Sequence, residues 1–252
     1  MRNIRRFSQV FLRDPVYIAR IIACLDIKGA AVLEIGPGEG ALTEHLARIS
    51  RRLYCLEIDQ RLCRGLEKRF AAAGNARVIR GDVLRFSCAS LPEKELLVFS
   101  NIPYQISKPL LLRLCGWNSQ VRTAWLTVQK EFGQKLTAVP GSKAYGFLSC
   151  YVQYFAASRR LFAIPAGAFA PAPKVDSWFM RLDLRPGIDP IEAGRFVALI
   201  KKAFAQPRKK VATALGLGAG SRDVLTKAGI PLNARPSEVG SRQYAALCRI
   251  LL

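Results

Sequence analysis

Short apolar runs alternate with stretches of helical periodicity through the first half of the chain. Ala30–Ile35, Arg52–Leu56, Ala76–Arg80, Leu96–Phe99 and Val121–Val128 read as buried strands. Between them, Asp14 followed by Pro15 fits a helix N-cap and first helical position. Val16, Ile18, Ala19, Ile22 and Ala23 are expected to form that helix's inward face. Ala41–Ala47 continues as helix, as does a segment carrying Leu62, Leu66 and Phe70. Ser107 and Pro109 open another with Leu110, Leu111 and Leu114 inward, and Gln129–Phe132 and Tyr145–Tyr154 begin two more. Strands alternating with helices predict an α/β domain around a parallel sheet. Two β-like runs, 160–165 and 174–184, then enclose a loop stiffened by Pro171 and Pro173. Pro186-Gly187 and Asp189-Pro190 mark a boundary, followed by a helix near 191–204 and shorter helices divided by Gly216, Gly218, Gly220 and Pro231. The expected division is a domain over 1–186 and a small helical one over 187–252.

The strands deliver polar residues at their C-terminal ends, where doubly wound sheets bind ligands. Glu34-Ile35-Gly36-Pro37-Gly38-Glu39-Gly40 follows the first. Its spacing approaches a dinucleotide fingerprint, but the third glycine arrives after one residue rather than two. A carboxylate beside the turn suits an ammonium group better than a pyrophosphate. Glu57 ends the second strand and can accept both hydroxyls of a ribose, in a nicotinamide enzyme as well as in a methyltransferase. Asp82 can accept from an adenine amino group while the Val83 N–H serves a ring nitrogen; an Asx-turn is its structural alternative. After the fourth strand comes Asn101-Ile102-Pro103-Tyr104. An amide there can accept from an exocyclic amine and a tyrosine ring can stack on a base. The same four residues also read as a tight turn whose Asn caps a helix. Phe169 can offer a second stacking face or fill the core. Taken together, these motifs suggest methyl transfer from S-adenosylmethionine to the amino nitrogen of an adenine.

Charge sharpens the partner. Lys and Arg total 39 against 18 acidic residues, a net +21, which favours a polyanion. The start, Met1 to Phe7, is basic and reads as a nucleic-acid-facing arm rather than a presequence, with Gln9 a candidate for the cofactor entrance. No apolar run reaches the roughly 18 residues of a membrane span. Lys201, Lys202, Arg208, Lys209 and Lys210 gather more charge than a helix end needs, which favours phosphate contact. Seven cysteines without a Cys-x-x-Cys pair, and a single histidine, His45, argue against zinc and for free thiols in a reducing compartment. Cys150 has no histidine in its part of the chain to activate it.

These motifs, in this order, resemble the small-subunit ribosomal RNA adenine dimethyltransferases, relatives of the resistance methyltransferases that act on large-subunit RNA. The likeness runs through Phe7–Leu12, the Glu34–Gly40 turn, Glu57, Gly81–Val83, Asn101–Ser107, Gln129–Phe132, Pro140–Gly146 and Phe169–Ser177. It implies a Rossmann-like class I methyltransferase sheet with a small C-terminal helical domain. It also implies dimethylation of N6 on two adjacent adenosines near the 3′ end of small-subunit RNA. Gln9, Phe11, Leu12, Glu34, Gly36, Gly38, Gly40, Glu57, Ile58, Asp82, Val83 and Asn101 would hold S-adenosylmethionine, which leaves as S-adenosylhomocysteine. Asn101, Ile102, Pro103, Tyr104 and Phe169 would surround the adenine, with no metal. The Pro140–Tyr145 segment is expected near the target base or RNA. The expected partner is small-subunit ribosomal RNA in an immature subunit, met by a monomer in the cytoplasm, an organellar site left open, with no membrane partner. Alternatives are a large-subunit resistance methyltransferase, a nicotinamide oxidoreductase and a non-catalytic RNA-binding assembly factor. Val10 stands where the family usually has Asn or His, Phe147 where it often has Arg, and Pro207 interrupts a normally more basic run. Ile102 is frequent in the resistance branch, whereas Gln105 and Ala144-Tyr145-Gly146 look closer to the small-subunit branch, which carries more weight.

Overall fold

In the computed structural model, which describes residues 10–251, the chain opens with a two-residue strand, β1 (Phe11–Leu12), and a helix, α1 (Pro15–Ala23). Asp14 caps that helix as its spacing predicts, its carboxylate accepting from the Val16 N–H at 2.8 Å. The inward face differs from the expected one. Ile21 is fully buried and Tyr17, Ile18 and Ile22 pack beside it, while Val16 is 69 % exposed and Ala19 and Ala23 face solvent. A face built on Tyr17–Ile21 and Ile18–Ile22 follows the i, i+4 spacing of a helix, and Val16 falls on the opposite side.

Strands β2 (Ala31–Ile35), β3 (Arg52–Glu57), β4 (Ala76–Arg80), β5 (Leu96–Asn101) and β6 (Val121–Gln129) pair in parallel. The helices α2 (Thr43–Ile49), α3 (Gln60–Arg69) and α4 (Ser107–Gly116) intervene along the chain. After β6 come α5 (Lys130–Leu136), α6 (Phe147–Phe155) and β7 (Ala156–Ile164). Then β8 (Phe169–Ala170) pairs antiparallel with β1, and β9 (Ser177–Leu184) runs antiparallel to β6. The seven-stranded order is β4-β3-β2-β5-β6-β9-β7. Chain order reverses between β2 and β5, which opens a crevice outside their C-terminal ends. Ser100 adds a side-chain bond to the ladder at that crevice: fully buried on β5, its hydroxyl donates to the Ile35 carbonyl on β2 at 2.8 Å. Leu33, Val98, Leu126 and Trp125 are among the fully buried side chains of this sheet.

The chain divides into two compact units, one of residues 1–133 and 159–186, the other of 134–158 and 187–252. The expected single cut after 186 misses the inserted segment 134–158. The second unit contains α6, α7 (Pro190–Phe204), α8 (Val211–Leu215), α9 (Ser221–Lys227) and α10 (Ser241–Ile250). Tyr154 of α6 stacks on Phe196 of α7 with ring centroids 3.8 Å apart, so the segment 134–158 supplies part of this unit's apolar packing. No helix among the described residues is long and apolar enough to cross a membrane.

Candidate active site

A cavity of about 310 Å³ lies at the crevice, lined from the C-terminal ends of β2, β3, β4 and β5 and from the arm that carries β1. Its first wall is the glycine turn. Gly36 and Gly38 have φ of +69° and +59°, conformations that side chains rarely adopt, and a Cβ on Gly38 would stand 2.6 Å from the Phe11 ring. The arm therefore rests directly on the turn. Arg13 of the arm also pairs with Glu39 inside the turn. Gly40 serves differently from the expectation: it does not line the cavity. A Cβ there would meet Leu66 of α3 at 3.0 Å, so this glycine lets turn and helix pack closely.

Two carboxylates share the cavity and both are almost fully buried, Glu34 at 2 % exposure and Glu57 at 4 %. Burial pushes the Glu34 carboxyl up to about 8; the Thr43 hydroxyl opposes the rise and Glu57 adds to it. Burial also raises Glu57, against backbone N–H groups that favour its charged form. Ile58 and Asp59 donate to one of its oxygens at 2.9 and 3.0 Å, and Gly38 to the other at 3.2 Å. Two buried carboxyl groups in one cavity suit a ligand with vicinal hydroxyls and a cationic end, which would favour the charged form of Glu34. Ile58 and Val83 add apolar walls, and Asp82 lies at the rim. The Asp82 carboxylate accepts from the Leu84 N–H at 2.9 Å, an Asx-turn that leaves its second oxygen available.

Asn101 is the last residue of β5 and lines the same cavity. Its Nδ2 donates to the Val10 carbonyl at 3.0 Å, which fixes the amide's orientation and leaves Oδ1 as the acceptor end. Ile102 and Pro103 continue the wall. Tyr104 begins a 3-10 turn, Tyr104–Ile106, and its hydroxyl shares a hydrogen bond with Ser177 at 2.9 Å. Burial pushes its phenol above the usual range, so the ring stays neutral and apolar on its faces.

Of the residues expected at the site, Phe11, Leu12, Glu34, Gly36, Gly38, Glu57, Ile58, Asp82, Val83 and Asn101 to Tyr104 meet around this one cavity. Gln9 lies outside the described residues. Phe169 is not among the lining residues: it is 4 % exposed in the core, paired across the strand register with Leu12. An apolar ring in the core cluster that holds Leu12 gains more from that burial than from an open cavity wall. The Pro140–Tyr145 segment belongs to the second unit, where the Gly141 N–H donates to the Ser237 carbonyl at 2.8 Å. Cys150 is fully buried there and its thiol is pushed up to about 12, which rules out a nucleophile. Of the five clustered cations, Lys202 donates to the Leu215 carbonyl and Lys210 to Asn233, while all five remain exposed. Three partners were not assigned from sequence: the Val10 carbonyl, the Arg13–Glu39 pair and Ser177. Glu39, a charged residue between two glycines, was the available signal for the second.

A family description, ribosomal RNA adenine dimethylase, matches residues 1–251. Ribosomal RNA small subunit methyltransferase A of Gloeobacter violaceus is 40% identical over 221 residues, 85% of this chain and 80% of that protein. The protein of the same name from Nitrosococcus oceani is 38% identical over 256 residues, covering 100% of this chain and 97% of its own. The crystal structure of the 23S rRNA methyltransferase ErmE is similar with a TM-score of 0.76 and 28% identity, over 96% of this chain and 99% of that one. The Rossmann-like methyltransferase sheet, the paired carboxylates at its switch point and a family match over nearly the whole length lead to one assignment. The chain belongs to the ribosomal RNA adenine dimethylase family.

Proposed function

We propose that this enzyme transfers methyl groups from S-adenosylmethionine to N6 of two adjacent adenosines near the 3′ end of small-subunit ribosomal RNA. The observation that carries the reading is the shared cavity: Glu34 and Glu57 stand at one end and Asn101 and Tyr104 at the other. When bound, the cofactor supplies an electrophilic sulfonium methyl group. Glu34 would take its ammonium group, Glu57 its ribose hydroxyls, and Asp82 with the Val83 N–H its adenine. Gly36, whose φ of +69° and open surroundings bring bare backbone to the cavity wall, supports such a ligand.

The target adenine leaves its stack, which costs a few kcal/mol, and Tyr104 returns part of that by stacking on one face. Phe169 would take the second face only with its ring turned out of the core. In the first transfer the Asn101 Oδ1 and the Ile102 carbonyl accept the two amino hydrogens, and in the second one of them accepts the hydrogen that remains. These bonds withdraw the nitrogen lone pair from the ring and aim it at the methyl group, so positioning and electrostatics supply the acceleration. Once methylated, the nitrogen loses its proton readily, so neither a strong base nor a metal is required. S-adenosylhomocysteine is then the product. We place the reaction on immature small subunits in the cytoplasm, carried out by a single copy of the chain.

Incubation of purified protein and labelled cofactor with immature small subunits, followed by nucleoside analysis, tests the proposal. N6,N6-dimethyladenosine at two adjacent small-subunit positions supports it. Label confined to large-subunit RNA would move the enzyme to the resistance reaction, and no label in either RNA would favour an assembly factor.

A further inference from the structure

Tyr104 is anchored at a point the reaction described above does not use. Ser177 opens β9 at a position with no solvent exposure, where a strand normally carries an apolar side chain. Burying a hydroxyl is costly unless it is paired. Its partner is the Tyr104 hydroxyl, 73 residues away in sequence and 2.9 Å away in space. The Tyr104 backbone is held by the preceding Pro103 and by the 3-10 turn, but neither sets the ring's torsions. The far end of the ring is held by Ser177 alone among the bonds described for that hydroxyl. Ser177 itself cannot drift, because β9 is registered against β6 at Ser177↔Gln129 and the Lys130 N–H donates to the Asp176 carbonyl at 3.0 Å.

From this we infer that Ser177 is a positioning residue for base recognition: its hydroxyl pins the Tyr104 ring at the angle that a flipped adenine meets. The inference rests on the proposed stacking of adenine on Tyr104. A neighbouring contact fixes the adjoining loop. The Asp176 carboxylate accepts from the Ala166 N–H at 3.0 Å, at the start of the Ala166–Ala168 turn that leads into Phe169. Asp176, just before β9, and Ser177, its first residue, therefore hold the turn that leads into Phe169 and the ring of Tyr104.

The test is a cycle of Ser177→Ala, Tyr104→Phe and the double variant in the full chain, with a small-subunit RNA hairpin as substrate. Each single change should lower kcat about three- to tenfold, the scale of one lost hydrogen bond. KM for S-adenosylmethionine should stay within about twofold, and the double variant should be no slower than either single one. Ser177→Thr, which keeps a hydroxyl, should recover most of the rate. A purely structural bond would lower the melting temperature and leave kcat at 25 °C unchanged, and that result overturns the inference, as do additive losses in the double variant. Should Ser177→Ala fail to fold, Tyr104→Phe with wild-type kcat overturns it alone. An active wild type with unaffected variants removes only the pin, whereas a wild type that methylates neither ribosomal RNA removes the pin and the proposed function together.

Discussion

Glu57 and Asn101 each stand at the C-terminal end of a parallel strand and face one cavity, yet they are held in different ways. Glu57 is fixed by backbone N–H groups of its own strand end and of the glycine turn, all within 19 residues of it. Asn101 is fixed by the Val10 carbonyl, 91 residues away, and its neighbour Tyr104 by Ser177, 73 residues away. On the proposed function, the carboxylate that would meet the cofactor's ribose is held by local turns, and the two side chains that would meet the base by distant segments brought together by the fold. Substitutions should accordingly separate cofactor affinity from turnover.

The sharpest separation is expected from Asn101→Ala. Losing an acceptor aimed at the reacting nitrogen should lower kcat about a hundredfold or more, with RNA affinity nearly unchanged. Single-turnover methylation beside an RNA-binding titration measures both, and unchanged turnover would break the assignment. On the other side, Glu57→Ala should weaken S-adenosylmethionine binding about ten- to a hundredfold, through lost hydrogen bonds to a charged group, as read by calorimetry. If its main effect fell on kcat at saturating cofactor, the two halves of the cavity would not be separable.

A smaller effect comes from Glu34. In the unfolded chain it ionises in the ordinary carboxylate range, but in the cofactor-free folded protein it keeps its proton until about 8. The folded state binds the extra proton between those values, so thermal stability should fall as pH rises through the interval and level off above about 8. Glu34→Gln should flatten that fall, which melting curves across the pH range will show. The smallest effect belongs to Arg13→Ala. Both partners of the Arg13–Glu39 pair are about half exposed, at 52% and 47%, so cofactor affinity should drop less than about fivefold, and less again in high salt.

The same contrast explains what the sequence revealed. The glycine turn, Glu57 and the Asn101–Tyr104 stretch were legible because each is contiguous and sits at the end of an apolar run. The Asp14 cap was legible for the same reason. The α1 face was misread because apolar residues were grouped without weighing Ile21 against Val16, which lie on opposite sides of the helix. Phe169 was assigned to the base because a stiff loop presents it. Its partnership with Leu12 arises only from pairing between chain segments over 150 residues apart in sequence. A unit completed by residues 134–158 leaves no linker signature, since both of its ends run through regular helix and strand. Ser177 belonged to a recognised motif, but no spacing rule connects a strand's first residue to a tyrosine on another strand's turn.

The Ser100 hydroxyl that ties β5 to the Ile35 carbonyl gives these halves a common ruler. Because that link joins neighbouring parallel strands that carry Glu34 and Asn101, the spacing between those two side chains belongs to the scaffold rather than to either loop. On the proposed function, the gap that a methyl group crosses is then set before either ligand arrives.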